Sequence, residues 1–299
     1  MRVLVTGASG PIGAALLSSF KADGAEVTRT SRRAAPSISG ENVVVWDPLQ
    51  PMSADVVSGM DAVIHLAGES IVGRWNPAKK QAIRDSRVAG TAYLAQALAS
   101  AANKPRVLVC ASAIGYYGNR GDEIMRESSP AGSGFLSQVC EEWEAATRPA
   151  TDAGIRTVKL RIGVVLSPRG GALEKMLLPF KLGLGGKLGN GRQWMSWIDV
   201  QDLVGAVRHA LNTDSLTGPV NAVAPQPVTN AEFTKTLASV LHRPALCAIP
   251  AFAARLVLGE MADALMLAST RVAPEKLVSS GYQFLFPTLR ESLGHLLLG

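Results

Sequence analysis

The stretch RVLVTGASGPIGAALL, from Arg2 to Leu17, restricts the fold of this chain more than any other. Val3-Leu4-Val5 is a continuous apolar run, the pattern of a strand buried on both faces of a parallel sheet. The run breaks at Gly7. Ile12, Leu16, Leu17 and Phe20 then share one helical face, and Gly24 supplies a stop. Strand, tight glycine turn and helix form the opening half of a βαβ unit.

The alternation repeats. Strands are expected at Glu26-Val27-Thr28, from Val43 to Trp46 and from Ala62 to Leu66. A long helix follows, with Asn76 as N-cap and Pro77 in its first position, running towards Ala101. Val107 to Cys110 reads as a strand, Phe135 to Arg148 as a helix and Thr157 to Leu166 as a strand. This order predicts an α/β fold, a Rossmann-type doubly wound parallel sheet of right-handed βαβ units. After Leu166 the rhythm changes: segments rich in glycine and proline, 183–191 and 218–227, separate shorter helices such as 230–241. The organisation expected is a dinucleotide-binding domain over 1–167 and a smaller C-terminal substrate lobe over 168–299, with a strand or two returning to the main sheet.

Composition narrows the function classes. With 47% apolar and 18% charged residues, a chain of 299 residues is expected to fold throughout. Its net charge of +6 comes from scattered lysines and arginines, without a basic run interleaved with aromatics, so no nucleic-acid partner is expected. No apolar stretch approaches the roughly 20 residues of a membrane span, and Arg2 enters a strand pattern without a charged-then-apolar leader. A cytoplasmic protein without a membrane partner is expected. Cys110, Cys140 and Cys247 lie far apart, as do His65, His209, His242 and His295, so no metal site is expected. No oligomeric interface is legible.

The loop Thr6-Gly7-Ala8-Ser9-Gly10-Pro11-Ile12-Gly13 has the T-G-x-x-G-x-x-G spacing of a dinucleotide site. Its glycines allow the tight turn and the close approach of backbone to pyrophosphate, and the helix N-terminus adds N–H groups and partial positive charge. An acidic residue that would bind a ribose hydroxyl is expected about 20 residues on, at the end of the second strand. Here that position reads Thr28-Arg29-Thr30-Ser31-Arg32-Arg33, without an acid. Ser31 and Arg32, with Arg33 beside them, suit a 2′-phosphate, which a guanidinium bonds bidentately. NADP(H) is therefore preferred and NAD(H) remains possible; the alternative is a solvated basic turn. Ligands of such sheets lie outside the carboxyl ends of the strands. Trp46 and Asp47 are expected near the adenine, with Leu66, Ala67, Gly68, Glu69 and Ser112 near the nicotinamide.

With these residues the chain resembles the extended short-chain dehydrogenase/reductase superfamily, which includes nucleotide-sugar epimerases, and more closely an atypical branch of epimerase family proteins. The phrases that carry the resemblance are His65-Leu66-Ala67-Gly68-Glu69, Ser112-Ala113-Ile114-Gly115-Tyr116-Tyr117-Gly118, Trp143-Glu144, Arg161-Ile162-Gly163-Val164-Val165-Leu166, Trp197-Ile198-Asp199 and Asn230-Ala231-Glu232-Phe233. A C-terminal tail from Pro250 through Pro274 to Phe286-Pro287 completes it. The resemblance implies NAD(P)H binding by the loop, by Ser31-Arg32, by Leu66-Ala67, by Arg87 on a helix facing the cofactor and by Gly163. It also implies a substrate cleft between the two lobes.

One departure stands out. Superfamily members carry a Tyr-x-x-x-Lys helix in which lysine lowers the tyrosine pKa for proton exchange with the substrate. The corresponding segment here runs from Gly134 to Cys140, with Phe135 and Val139 in those places. Ser112, Tyr116, Tyr117 and Glu69 are the candidate catalytic groups; strand-end anchoring, core packing and ribose binding are the alternatives for them. The glycine-rich run from Lys181 to Arg192 reads either as a lid whose Lys187 and Arg192 meet an anionic substrate, with Gln193 and Trp194 lining the cleft, or as a plain surface loop. Trp143 and the stretch Met261 to Met266 read as packing. Two functions follow from the residues: an NADP(H)-binding, epimerase-like oxidoreductase acting on a small substrate, or a non-catalytic NADP(H)-binding sensor or scaffold.

Overall fold

Val3 and Val5 face one side of a sheet and Leu4 the other, each packed into a separate apolar cluster. That alternation in a run without polar residues is what two helical layers demand of a central strand. The computed structural model describes residues 1–34 and 41–298. The chain begins with β1 (Arg2–Thr6), α1 (Pro11–Ala22), β2 (Glu26–Ser31), β3 (Asn42–Val45), the single-turn α2 (Ala54–Val57), β4 (Ala62–His65) and the long α3 (Pro77–Ser100). β5 (Val107–Ala113) runs into a 3-10 turn over Ile114–Tyr117, followed by β6 (Ile124–Met125), α4 (Phe135–Ala145), α5 (Arg148–Asp152), β7 (Arg156–Ile162) and β8 (Val164–Leu166). Next come α6 (Gly171–Lys181), β9 (Trp194–Met195), β10 (Trp197–Asp199), α7 (Val200–Asn212), β11 (Gly218–Ala222), β12 (Val228–Thr229) and α8 (Asn230–Val240). The chain closes with α9 (Ala251–Leu258), a π-helical turn over Ala262–Met266, β13 (Arg271–Val272), α10 (Glu275–Ser279) and α11 (Leu289–Leu298).

Seven parallel strands form the main sheet in the order β11-β7-β5-β4-β1-β2-β3. The order reverses between β1 and β4, so a crevice opens there outside the carboxyl ends of the strands. This is the doubly wound Rossmann-type fold. One face is packed by Leu16 and Phe20 of α1 with Leu203 and Val207 of α7. The other is packed by Leu94 and Leu98 of α3 with Trp143 of α4. A third cluster, including Phe180, Trp197, Phe233, Leu237 and Leu293, forms the core of the smaller lobe.

Two elements differ from the sequence expectation. The strand read from Thr157 to Leu166 is two strands, because at Gly163 the backbone leaves its neighbour Ala222 and Val164 bonds Ser196 instead, at 2.9 Å. The helix read from Phe135 to Arg148 stops at Ala145, and Thr147 turns its hydroxyl onto the Glu144 carbonyl at 2.7 Å. The strand expected to return to the main sheet is β11, within the glycine- and proline-rich segment at a sheet edge, where Pro219 is tolerated because an edge strand need not donate on its outer side. α7 and β11, although late in the chain, thus pack into the main sheet and its core.

Candidate functional site

The loop between β1 and α1 supplies backbone rather than side chains. Gly7 adopts φ +70°, and a Cβ there would lie 2.6 Å from the Leu66 carbonyl carbon. A Cβ on Gly13 would lie 2.5 Å from the Ala8 Cα, so helix and turn touch directly. Helix α1 has Gly10 as its N-cap and no side-chain cap, and Pro11 follows in its first turn. The first bond into the helix is made by the Ala14 N–H to the Gly10 carbonyl at 2.9 Å. The amides of Ile12 and Gly13 therefore precede the intrahelical ladder, as in an anion site at a helix N-terminus.

A cleft of about 750 Å³ extends from this turn and is lined by Gly7, Ser9, Arg29 to Arg33, Trp46 to Leu49, Ala67 to Glu69, Ala82 and Ser86. Arg32 and Arg33 are exposed at the end of β2, and the Arg33 amide donates to the Ser31 hydroxyl at 3.4 Å. Trp46 is buried with its indole N–H on the Gln50 carbonyl, which fixes its face towards the cleft, while Asp47 turns the chain by accepting from the Leu49 amide. Arg29, Thr30 and Ser86 join the lining without having been singled out from the sequence. Arg29 is ion-paired with Glu41 at 3.0 Å. Ser86 lies one position before Arg87 on α3 and accepts from the Glu69 amide at 2.9 Å. Its signal in the sequence is that adjacency to a predicted contact.

Other predicted contacts sit around the cleft. Leu66 packs into both core clusters. Arg87 donates through Nη1 to the Glu69 and Ile83 carbonyls, and its guanidinium closes on Gly68, where a Cβ would meet it at 3.3 Å. It also lies 5.1 Å from the Trp143 ring centroid. Gly163 is placed elsewhere: a Cβ there would press on the Ser196 carbonyl at 2.6 Å, so its glycine serves close strand packing.

The four candidate catalytic groups are not brought together. Glu69 lines the cleft, and the hydrogen-bonded Lys79 ammonium at 2.7 Å holds its carboxyl below the usual range. Ser112 and Tyr117 instead enter a buried network. Ser112 donates to Glu144 Oε1 at 2.8 Å, and Glu144 accepts two bonds from Arg161, at 2.8 and 3.0 Å. Arg161 donates in turn to the Tyr117 oxygen at 3.0 Å, and Tyr117 donates to Asn221 at 2.7 Å. Burial raises the Tyr117 pKa; burial opposes the Arg161 charge, but Glu144 outweighs it and raises that pKa. Tyr116 lies against Arg161, whose guanidinium carbon is 3.4 Å from its ring centroid. Phe135, in the place of the superfamily tyrosine, meets Trp75 edge to face at 5.3 Å, and Val139 is buried. In the glycine-rich segment, Lys187 and Arg192 are exposed, Gln193 is buried with its amide on the Leu188 and Met266 carbonyls, and Trp194 donates to Asp122. Among the described residues no cluster of His, Cys, Asp and Glu could hold a metal ion, and no helix is long and apolar enough to cross a membrane.

Comparison with known proteins agrees with this geometry. Residues 249–296 match a domain of unknown function, DUF1731. The chain is similar to the epimerase family protein Mb2239 of Mycobacterium bovis, 44% identical over 98% of this chain and 96% of that protein. It superposes on a crystal structure of the human epimerase family protein SDR39U1 with NADPH at a TM-score of 0.91, with 38% identity and 99% of each chain covered. A nucleoside-diphosphate sugar epimerase from Corynebacterium glutamicum gives 0.82 at 38% identity, over 99% of this chain and 58% of that one. Residues 3–222 match the model of the NAD dependent epimerase/dehydratase family, and the chain belongs to that family.

Proposed function

We propose that this protein binds NADP(H) in the cleft outside β1, β2 and β4 and acts as an epimerase-like oxidoreductase on a small substrate. The observation that carries the cofactor choice is the end of β2, where Ser31, Arg32 and Arg33 line the cleft and no carboxylate stands in the place of a ribose-binding acid. The similar human protein, solved with NADPH, supports the same choice. The residues present fit the group: the uncapped N-terminus of α1 faces the turn, Gly7 and Gly13 leave room only for backbone, and the volume suits a dinucleotide. Bound there, the cofactor supplies hydride.

The chain's own residues orient the reactants, and the proton that balances hydride transfer to a carbonyl is drawn from solvent water. Phe135 and Val139 hold no titratable proton, and the Ser112 hydroxyl is committed to Glu144. Glu69, whose carboxyl the Lys79 ammonium holds below the usual range, accepts hydrogen bonds from ribose hydroxyls and does not act as an acid near neutrality. A second reading, a non-catalytic NADP(H) sensor or scaffold, is favoured by the way Phe135 and the Ser112–Glu144–Arg161 network occupy the places of the superfamily's proton-handling groups. NADPH turnover across a panel of carbonyl compounds separates the two, since a sensor binds tightly and turns over none.

The cofactor assignment is tested by Arg32→Ala. Loss of charge-assisted bonds to a 2′-phosphate is worth roughly 1.5–3 kcal/mol, about a 10- to 150-fold rise in the NADPH Kd, measured by the fluorescence of the reduced nicotinamide. NADH affinity is expected to change less than about twofold, because it has no 2′-phosphate to lose. Equal losses for both overturn the assignment.

A further inference from the structure

Glu69 is the last residue of its loop to line the cleft, and beyond it the chain turns apolar. Two residues on, Ile71 enters a cluster with Trp75, Phe135, Leu136, Met261 and Met266. Three separate segments contribute: the loop after β4, the first turn of α4 and the stretch that follows α9. Trp75 and Met261 are buried, whereas Ile71, Phe135, Leu136 and Met266 each keep part of their surface open. The Gly73 amide donates to the Met261 thioether at 3.2 Å, tying the loop to the C-terminal segment.

The place of this cluster follows from the sheet. Arg32 marks the β2 side of the switch point; β4 and β5 lie on the other side. Leu136 packs beside Gly115, just past the carboxyl end of β5, where a Cβ would lie 3.4 Å from the leucine Cβ. The apolar cluster therefore stands outside the ends of β4 and β5, on the side towards which the reacting half of a dinucleotide anchored at β1 and β2 extends.

The charged groups beside this cluster are paired within the protein: Glu69 with Lys79, and Lys80, whose ammonium lies 5.1 Å from the Phe135 ring centroid, with Glu260. Ser112 donates to Glu144, Ser137 to the Gly115 carbonyl, the Trp75 indole to the Ile71 carbonyl and Gln193 to two carbonyls. A sugar brings a hydroxyl on nearly every carbon, and each must exchange water for a protein partner on entry. An apolar molecule needs only surface, and aromatic rings with methionine side chains offer it in adaptable form.

From this juxtaposition we infer that the substrate half of the cleft receives an apolar carbonyl compound, an aryl or long-chain aldehyde or ketone, and not a nucleotide sugar. The inference rests on the NADP(H) oxidoreductase reading, and the experiment tests the two in sequence. NADP+ is first titrated into the full chain by calorimetry; no binding overturns both. Protein saturated with NADP+, in which no reduction takes place, is then mixed with cinnamaldehyde, 2-naphthaldehyde, decanal or UDP-glucose, and binding is read by ligand-observed NMR. At least one of the aldehydes is expected to bind and UDP-glucose is not. Ile71→Asp and, separately, Met266→Lys are each expected to weaken aldehyde binding at least tenfold, in protein whose melting temperature stays within a few degrees of the parent. Binding of UDP-glucose without the aldehydes, binding of none of the three aldehydes, or aldehyde affinity unmoved in both variants overturns the inference and leaves the cofactor reading standing.

Discussion

His65 is fully buried at the end of β4, between the Thr6 hydroxyl at 2.7 Å and the Thr91 hydroxyl at 3.0 Å. Thr6 Oγ1 also accepts from the Leu66 and Ala67 amides, so one neutral imidazole steadies the point where the ends of β1 and β4 open into the cleft. Burial pushes the His65 pKa down to about 4. The folded value lies below the unfolded one, so the unfolded chain takes up the proton first as pH falls. Stability from this residue is complete above about pH 6.5 and is lost towards pH 4, by about 3 kcal/mol in all. In urea unfolding, the stability difference between the parent and His65→Gln is expected to shrink by about that amount between pH 7 and pH 4; a difference constant with pH contradicts the assignment. The histidine's residue type was visible in the sequence but its two threonine partners were not, because Thr91 lies on α3, 26 positions away.

At the scale of elements, the turn from β1 into α1 was legible because its constraints are local. Gly7 needs a positive φ and Gly13 needs contact with Ala8, and both demands sit within one short motif. Gly13→Ala is expected to destabilise the protein by roughly 1–3 kcal/mol, the usual cost of overpacking, and to raise the NADPH Kd, as thermal unfolding and fluorescence titration would show. An unchanged melting temperature would mean that the helix shifts freely against the turn. The division of β7 from β8 was hidden, since Val158 to Leu166 is apolar enough for one strand and only the distant Ser196 carbonyl draws the backbone away at Gly163. A strand returning to the main sheet was expected, but its place at β11 was hidden for the opposite reason: Gly218 and Pro219 are turn residues by composition and strand residues by position, at an edge. The Ser112 network was beyond reach altogether. Its links join residues 32, 17, 44 and 104 positions apart, and nothing local in Glu144 or Asn221 announces such partners.

Across the whole molecule, residues 249–296 are a strap and not a separate body. Asp202, fully buried on α7, accepts from the amides of Leu285 and Phe286, at 2.7 and 3.0 Å, and from the Tyr282 hydroxyl. Asp199 accepts from Ser292, Asn221 donates to the Ala273 carbonyl, and Glu127 accepts from the Lys276 amide. Removal of the strap strands these buried groups and uncovers Leu203, Val207 and Phe233, which share clusters with Leu277, Leu289 and Leu293. A chain truncated after residue 248 is therefore expected to be insoluble or to lack a cooperative thermal transition; a soluble, NADPH-binding product would show that the sheet stands alone. Because the strap is translated after every element it supports, the nucleotide cleft takes shape early on the ribosome while the carboxylates of α7 wait for partners not yet made. At ordinary translation rates that wait lasts several seconds, during which the nascent protein displays its unfinished lobe to chaperones and proteases, so its yield in a cell depends on that interval as well as on final stability.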